Sequence, residues 1–257
     1  MATMTVAKAL NAGLRRALEA DPKVLLYGED IGKLGGVFRI TEHLQRDFGP
    51  ERVIDSPLAE SGIVGTAVGL ALRGYRPVVE IQFDGFVYPA FDQIISQVSR
   101  FYFRSHGALK MPMVVRIPYG GGIGAIEHHS ESPEAYFAHT PGLKVVTCSN
   151  PVDAYWMIQQ SIASNNPIIF FEPKRRYHEK GEVDTEIEPM PLFQARVVKP
   201  GDDLTLITYG PMGRTCAGAA IAAAQLPDAV GRDAALVERL ERVFDEPGPL
   251  GAGARSS

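Results

Sequence analysis

Residues 54–71 read Ile54-Asp55-Ser56-Pro57-Leu58-Ala59-Glu60-Ser61-Gly62-Ile63-Val64-Gly65-Thr66-Ala67-Val68-Gly69-Leu70-Ala71. The turn at Ser56-Pro57 predicts that Glu60 begins a helix that is otherwise apolar or small. Its glycines recur at three- and four-residue spacing, so one face can lie close to another backbone. An acid at a helix N-terminus is either a favourable first-turn charge or a working acid. The stretch alone favours the first interpretation.

Short apolar segments and helical patterns alternate on both sides of this stretch. Predicted strands cover 24–27, 76–83, 112–117, 144–147 and 167–172, and predicted helices cover 6–18, 41–48, 89–104 and 150–164. This alternation predicts an α/β fold with a mostly parallel sheet. Ligands of such sheets lie at the carboxyl ends of the strands. We therefore expect Glu29, Gln82, Phe86 and the loop before His129 to converge there.

The composition is that of a soluble globular protein. The 257 residues are 45% hydrophobic and 22% charged, and the net charge of −4 comes without a basic block. Nothing therefore indicates nucleic-acid binding. Two cysteines without metal-ligand spacing fit a reducing compartment. Without a signal-peptide pattern or a membrane-length apolar run, we expect a cytoplasmic location and no membrane partner.

The loop after 112–117 allows two interpretations. Residues 120–125 fit the G-x-G-x-x-A dinucleotide fingerprint, but they lead to a histidine pair and no acid follows about twenty residues on. Close approach of a glycine-rich backbone to some other ligand is favoured. His128 and His129 are adjacent and would point to opposite sides of an extended chain, which argues against a shared metal. One of them before a helix N-terminus would favour an anionic ligand; a hydrogen-bonded loop histidine is the alternative.

Smaller local patterns lie between residue 132 and the end of the sequence. Ser132-Pro133-Glu134 predicts a helix with serine as the N-cap and proline at the first position. Lys174-Arg175-Arg176 is most simply a solvated loop. Residues 180–200 are acidic and contain prolines, as in a linker, and 203–210 predict a first strand of a second domain. An Ala-rich helix at 217–224 and disorder at 247–257 are expected after it.

Several motifs together resemble one known family. They are Ser56-Pro57-Leu58-Ala59-Glu60-Ser61-Gly62-Ile63-Val64-Gly65, Glu80-Ile81-Gln82-Phe83, Pro89-Ala90-Phe91-Asp92-Gln93, His129-Ser130-Glu131-Ser132-Pro133-Glu134-Ala135, Ala138-His139-Thr140-Pro141-Gly142-Leu143-Lys144-Val145-Val146 and Phe170-Phe171-Glu172-Pro173-Lys174. In this order they resemble the beta subunit of thiamine-diphosphate-dependent 2-oxo acid dehydrogenases over residues 4 to about 212. The branched-chain type looks most similar, and pyruvate dehydrogenase is the near relative.

The resemblance implies a domain plan and partners. Residues 1–180 would be a transketolase-like pyrimidine-binding domain, 181–200 a linker, and 201–257 the start of a transketolase C-terminal domain. Two alpha and two beta subunits would form a heterotetramer that feeds a lipoyl acyltransferase core. The alpha subunit would hold diphosphate and Mg²⁺, and this chain lacks the family's Gly-Asp-Gly…Asn magnesium motif.

The resemblance also implies roles for single residues. Glu60 would hydrogen-bond the aminopyrimidine ring of thiamine diphosphate, Leu58 would approach it through its carbonyl, and Gln82 and Phe86 would line it. The branched-chain type carries Tyr at the Phe86 position. His129 would handle the 2-oxo acid substrate and acyl transfer. A potassium ion would lie among backbone groups near Met113, Val114 and Asn166.

The resemblance fades after residue 212. Residues 213–257 match none of the family's second domain, which predicts a truncated, frame-shifted or diverged segment from about 213. A working subunit, an inactive remnant and a self-sufficient transketolase-like enzyme are the three hypotheses that follow. The missing magnesium motif argues against the third.

Overall fold

The computed structural model describes residues 1–187, 189–202 and 204–224, which divide into two units between Gln194 and Ala195. In the first unit the strands are β1 (Ala2–Thr5), β2 (Val24–Gly28), β3 (Val53–Asp55), β4 (Arg76–Glu80), β5 (Val114–Tyr119), β6 (Lys144–Thr147), β7 (Ile168–Pro173) and β8 (Lys180–Val183). Its α-helices are α1 (Val6–Ala20), α2 (Leu44–Phe48), α3 (Glu60–Leu72), α4 (Phe101–Arg104), α5 (Glu134–Ala138) and α6 (Pro151–Ala163).

Six strands form one parallel sheet in the order β3-β2-β4-β5-β7-β6. The predicted α/β class and parallel sheet are thereby confirmed. A separate antiparallel pair joins β1 to β8, with Ala2 opposite Val183 and Thr5 opposite Lys180. Residues 181–183, at the start of the acidic segment, therefore belong to a strand.

Helices cover both faces of the sheet. α1 and α6 pack their apolar sides against one face of the sheet. The two helices approach so closely that a Cβ at Gly13 would lie 2.5 Å from Ile158 Cγ2. α3 and the helical segment after β4 pack on the other face. α6 begins as the sequence predicts, because the Asn150 side chain accepts a hydrogen bond from Asp153 N at 2.9 Å.

Two predicted helices differ from the structure. The long helix over 89–104 is broken into a 3₁₀ helix (Asp84–Ala90), a π-helix (Gln93–Val98) and α4. Ser99 N donates to the carbonyl of Ile94, five residues back, as a π-turn requires. These pieces keep Ala90, Ile94 and Val98 buried against the sheet, so tertiary packing overrides the regular helix. Pro133, not Ser132, holds the N-cap of α5, without a side-chain cap.

In the second unit the described residues form one helix, α7 (Met212–Ala223), close to the expected Ala-rich helix. Residues 204–210 do not form the predicted strand, because no described neighbour pairs with them. The segment expected to be disordered, 247–257, and most of the segment expected to diverge lie outside the described residues. Within the part of the chain that the structure describes, none of the helices has the length and apolar character needed to cross a bilayer.

Candidate active site

The carboxyl edge of the parallel sheet carries the candidate site. Since neighbouring strands are parallel, the segments that follow β3, β2, β4, β5 and β7 all begin at this edge. They bring Glu60, Glu29, Gln82, His129 and Lys174, in that order across the sheet. The predicted convergence of strand-end residues is therefore what the topology produces.

Glu60 is the first residue of α3 and is only 7% exposed. Among the described residues, no hydrogen bond or ion pair is recorded for its carboxylate. Glu29 lies close enough to interact with it electrostatically. Burial of Glu29, with repulsion from Asp30 and Glu60, raises the pKa of the Glu29 carboxyl group. A carboxylate without a protein partner, on a largely buried residue at a helix N-terminus, is thus available to a ligand that donates a hydrogen bond.

The other residues expected at the ring lie at the same edge of the sheet. Gln82 Nε2 donates to Asp30 Oδ2 at 3.4 Å, which joins the ends of β4 and β2. Phe86 is half-buried and packs edge-on against Phe83, with ring centroids 5.6 Å apart. Leu58 lies in the turn before α3 with a side chain that is 69% exposed. Two polar strand ends and an aromatic wall therefore share this edge.

The ring of His129 packs against the rings of Phe83 and Phe86. Its ring centroid lies 4.3 Å from that of Phe83 and 5.2 Å from that of Phe86, and Nδ1 lies 2.7 Å from the carbonyl oxygen of Glu127. His128 instead has a φ of 60° and an exposed ring near Glu131. The two histidines thus have different surroundings. No group of three metal-ligating side chains occurs within the described ranges.

The sequence did not reveal two buried charges beside His129. Lys174 Nζ donates to Asp84 Oδ1 and to the carbonyl oxygen of His129, each at 2.7 Å. Both charged side chains have no exposed surface. The prediction that residues 174–176 form a solvated loop is therefore wrong for Lys174. Its partner is ninety residues away in the chain, so no local pattern indicated it.

A buried ion network lies under the same edge. Arg116 of β5 donates to Glu80 Oε2 at 2.7 Å and to both carboxylate oxygens of Glu172, at 2.6 and 3.0 Å. Tyr177 donates to Glu172 Oε2 at 2.8 Å. Burial raises the pKa of Glu80, against the opposing effect of Arg116. The network links the three central strands β4, β5 and β7.

The residues expected at a potassium ion lie at the opposite, amino edge. Met113 and Val114 are buried at the start of β5, and the Met113 carbonyl accepts from Ile168 N at 3.0 Å. Asn166 precedes β7 and is exposed. Nearby, Arg76 donates to the carbonyl oxygens at the end of α6, which are those of residues 162, 163 and 164, at 2.9 to 3.2 Å. A guanidinium already occupies oxygens of the kind that an alkali cation needs.

Comparison with known proteins identifies the family. The family described as "Transketolase, pyrimidine binding domain" matches residues 2–180. The chain is 58% identical to the pyruvate dehydrogenase E1 component subunit beta of Leifsonia xyli subsp. xyli, over 92% of this chain and 69% of that protein. It is 51% identical to the 3-methyl-2-oxobutanoate dehydrogenase subunit beta of Mycobacterium tuberculosis (strain ATCC 25618 / H37Rv), over 88% of this chain and 65% of that protein.

A solved structure shares the fold. The chain titled "Split gene transketolase, inactive beta4 tetramer" superimposes with a TM-score of 0.68, over 85% of this chain and 67% of that one, at 19% identity. The chain spans about two thirds of the length of the curated relatives above. The fold of this chain and the identity of its relatives support the resemblance that the sequence motifs indicated. The chain belongs to the transketolase pyrimidine-binding family, among the beta subunits of the 2-oxo acid dehydrogenases.

Proposed function

We propose that the chain is the beta subunit of a branched-chain 2-oxo acid dehydrogenase that uses thiamine diphosphate. The single observation that carries the proposal is Glu60 at the carboxyl edge of the sheet, a largely buried residue whose carboxylate has no hydrogen-bond or ion-pair partner among the described residues. The family relationship supports the reaction class, which is oxidative decarboxylation of a 2-oxo acid.

The residues present fit an aminopyrimidine ring. Such a ring needs a carboxyl group that can share a proton with its ring nitrogen, and it needs flat apolar walls; Glu60 and Phe86 have these properties. Gln82 adds an amide and Leu58 a backbone carbonyl at the same edge. Thiamine diphosphate, when bound, supplies the electron sink for decarboxylation. In this proposal Glu60 accepts the hydrogen bond of the ring nitrogen and holds a proton there.

His129 has the second role in the proposal. Its ring lies against Phe83 and Phe86, so it faces the region that the aromatic wall defines. An imidazole there is suited to binding the substrate carboxylate and to moving a proton during acyl transfer to a lipoyl group. The acceptor would be the lipoyl domain of an acyltransferase core component.

An alpha subunit completes the site in this proposal. Two alpha and two beta subunits would form the enzyme, with diphosphate and Mg²⁺ held by the alpha subunit. Residues 181–200 would link the pyrimidine-binding domain to the start of a C-terminal domain over 201–257. The relatives are named as beta subunits, which supports the need for a partner subunit.

The substrate separates two candidate functions. The His129 and Phe-Phe-Glu-Pro-Lys stretches favour a branched-chain acid, whereas the 58% identity to the Leifsonia xyli protein favours pyruvate. The test is carbon dioxide release from 3-methyl-2-oxobutanoate and from pyruvate by this chain co-expressed with its alpha partner. Higher kcat/KM for the branched acid supports the proposal, and higher kcat/KM for pyruvate names the alternative. A paired complex that turns over neither acid contradicts both and supports the inactive remnant.

A further inference from the structure

A buried ion pair, formed by a residue that follows β4 and a residue that follows β7, holds the loop that carries His129. Asp84 opens the 3₁₀ helix after β4, and Lys174 follows β7. The Lys174 ammonium donates to Asp84 Oδ1 and to the His129 carbonyl oxygen, each at 2.7 Å. It also lies 5.5 Å from the centroid of the Phe83 ring. One lysine therefore contacts a carboxylate, the histidine main chain and the aromatic wall.

The strand order gives this pair its position. β5 lies between β4 and β7, so the pair spans the loop that leaves β5 and leads to His129. From the β4 side, Gly85 N donates to the carbonyl oxygen of His128 at 3.2 Å. A Cβ at Gly85 would lie 2.5 Å from His128 Cα. The main chain at two successive residues, 128 and 129, is thus fixed by hydrogen bonds from two different strand ends.

Packing alone does not call for a charged pair at this position. Burial lowers the pKa of Lys174, and the hydrogen bond to Asp84 opposes that effect. Asp84 Oδ2 is buried without a hydrogen-bond partner in the described residues. Apolar side chains of similar volume would avoid both desolvation penalties. What the pair supplies, and apolar residues would not, is a directed hydrogen bond to the His129 carbonyl.

We propose that Lys174, paired with Asp84, is a positioning residue that sets the location of the His129 imidazole relative to the substrate. This inference rests on the proposed function, in which His129 handles the 2-oxo acid. Lys174 acts through the main chain of His129, whereas His129 itself contacts the substrate.

The test uses the complex of this chain with its alpha partner. Lys174→Met alone leaves Asp84 as a buried unpaired charge and risks misfolding, so the main variant is the double substitution Asp84→Asn with Lys174→Met, here called the neutral pair. It removes both charges together. Arg175→Met, at the exposed neighbouring position, is the matched control.

The measurement is a double-mutant cycle with His129→Ala. The neutral pair is expected to lower kcat for decarboxylation about 10-fold or more in the wild-type background and about 2-fold or less in the His129→Ala background. The dissociation constant for thiamine diphosphate should stay within about 2-fold. An equal fold-loss in both backgrounds, or no loss in either, would overturn the inference.

A second readout does not depend on turnover. The ring resonance of His129, assigned with His129→Gln, is recorded by NMR in the isolated chain labelled at histidine. The neutral pair should move this resonance, and Arg175→Met should not. An unmoved resonance overturns the inference even if the complex is active. If the resonance moves but the wild-type complex has no activity, the positioning role is supported and the proposed function is contradicted.

Discussion

Lys174 Nζ lies 2.7 Å from Asp84 Oδ1, and neither side chain has exposed surface. The two residues stand at the ends of β7 and β4, with β5 between them. Because Lys174 Nζ also donates to the carbonyl oxygen of His129, the pair holds the main chain of a glycine-rich loop at that residue.

Gly85→Ala should disturb the histidine loop without unfolding the chain. The new Cβ would lie 2.5 Å from His128 Cα, so the loop backbone has to shift. We expect a fall in decarboxylation of about 10-fold or more, because small misplacements of catalytic groups are costly. Circular dichroism and the NMR resonance of His129 check the fold and the shift.

Gly69→Ala in α3 is the matched control for that substitution. Its Cβ would meet no heavy atom within 4 Å, and alanine is favoured over glycine in helices by about 1 kcal/mol. The free energy of unfolding of the isolated chain should rise, and the His129 resonance should stay in place. A resonance shift in Gly69→Ala equal to that in Gly85→Ala would contradict the local explanation.

Arg116→Met should destabilise the chain strongly. It would leave the carboxylates of Glu80 and Glu172 buried without their cation, and breaking a buried pair costs about 3–5 kcal/mol. Arg15→Met is the control, because the Arg15–Asp47 pair is partly exposed and solvent screening should leave it a much smaller contribution. Urea unfolding of both variants measures the difference. Equal losses would show that burial of the network does not matter.

Glu29 should make stability depend on pH. Its pKa is raised in the folded state by burial and by the neighbouring acids Asp30 and Glu60. The folded state therefore holds a proton that the unfolded state loses above a pH of about 4.5. The stabilisation is complete below that pH and is lost as the pH rises through the folded-state pKa. Glu29→Gln should flatten this part of a curve of unfolding free energy against pH; an unchanged curve would contradict the assignment.

Arg76 should make the chain indifferent to potassium. Its guanidinium binds three carbonyl oxygens at the end of α6 and Asn165 Oδ1 at 3.0 Å, and cations are favoured at helix C-termini. Melting temperatures of the wild type in KCl and NaCl of equal ionic strength should therefore agree. Arg76→Ala should have a lower melting temperature than the wild type, and KCl should raise that temperature more than NaCl does. Specific stabilisation of the wild type by potassium would instead support the ion predicted near Met113, Val114 and Asn166.

The fold could be predicted from the sequence because the strand and helix patterns are local. Strand 144–147 was predicted with its observed bounds, and Asn150-Pro151 marked the start of α6. Parallel strand ends then predicted that Glu29, Gln82, Phe86 and the loop before His129 would lie at one edge of the sheet. The regular helix predicted over 89–104 is wrong because packing against the sheet, rather than residue preference, sets the helix type there. The helix predicted at Ser132-Pro133-Glu134 forms, with its N-cap one residue later than expected.

The buried ion pairs could not be predicted from the sequence, because their partners are far apart in the chain. Lys174 has two basic neighbours, which is typical of a solvated segment, and its carboxylate partner lies in the 3₁₀ helix after β4. Residues that meet only after the sheet has formed leave no periodic pattern. Arg116 between Glu80 and Glu172 was missed for the same reason.

The most direct test of the central claim is decarboxylation by Glu60→Gln. The variant keeps the shape of the side chain and removes the acceptor charge, and Glu51→Gln, at an exposed position before β3, is the control. Release of carbon dioxide from the 2-oxo acid is measured for each complex with the alpha partner, thiamine diphosphate and Mg²⁺. We predict a loss of about 100-fold or more for Glu60→Gln and none for Glu51→Gln. Undiminished turnover by Glu60→Gln would contradict the account.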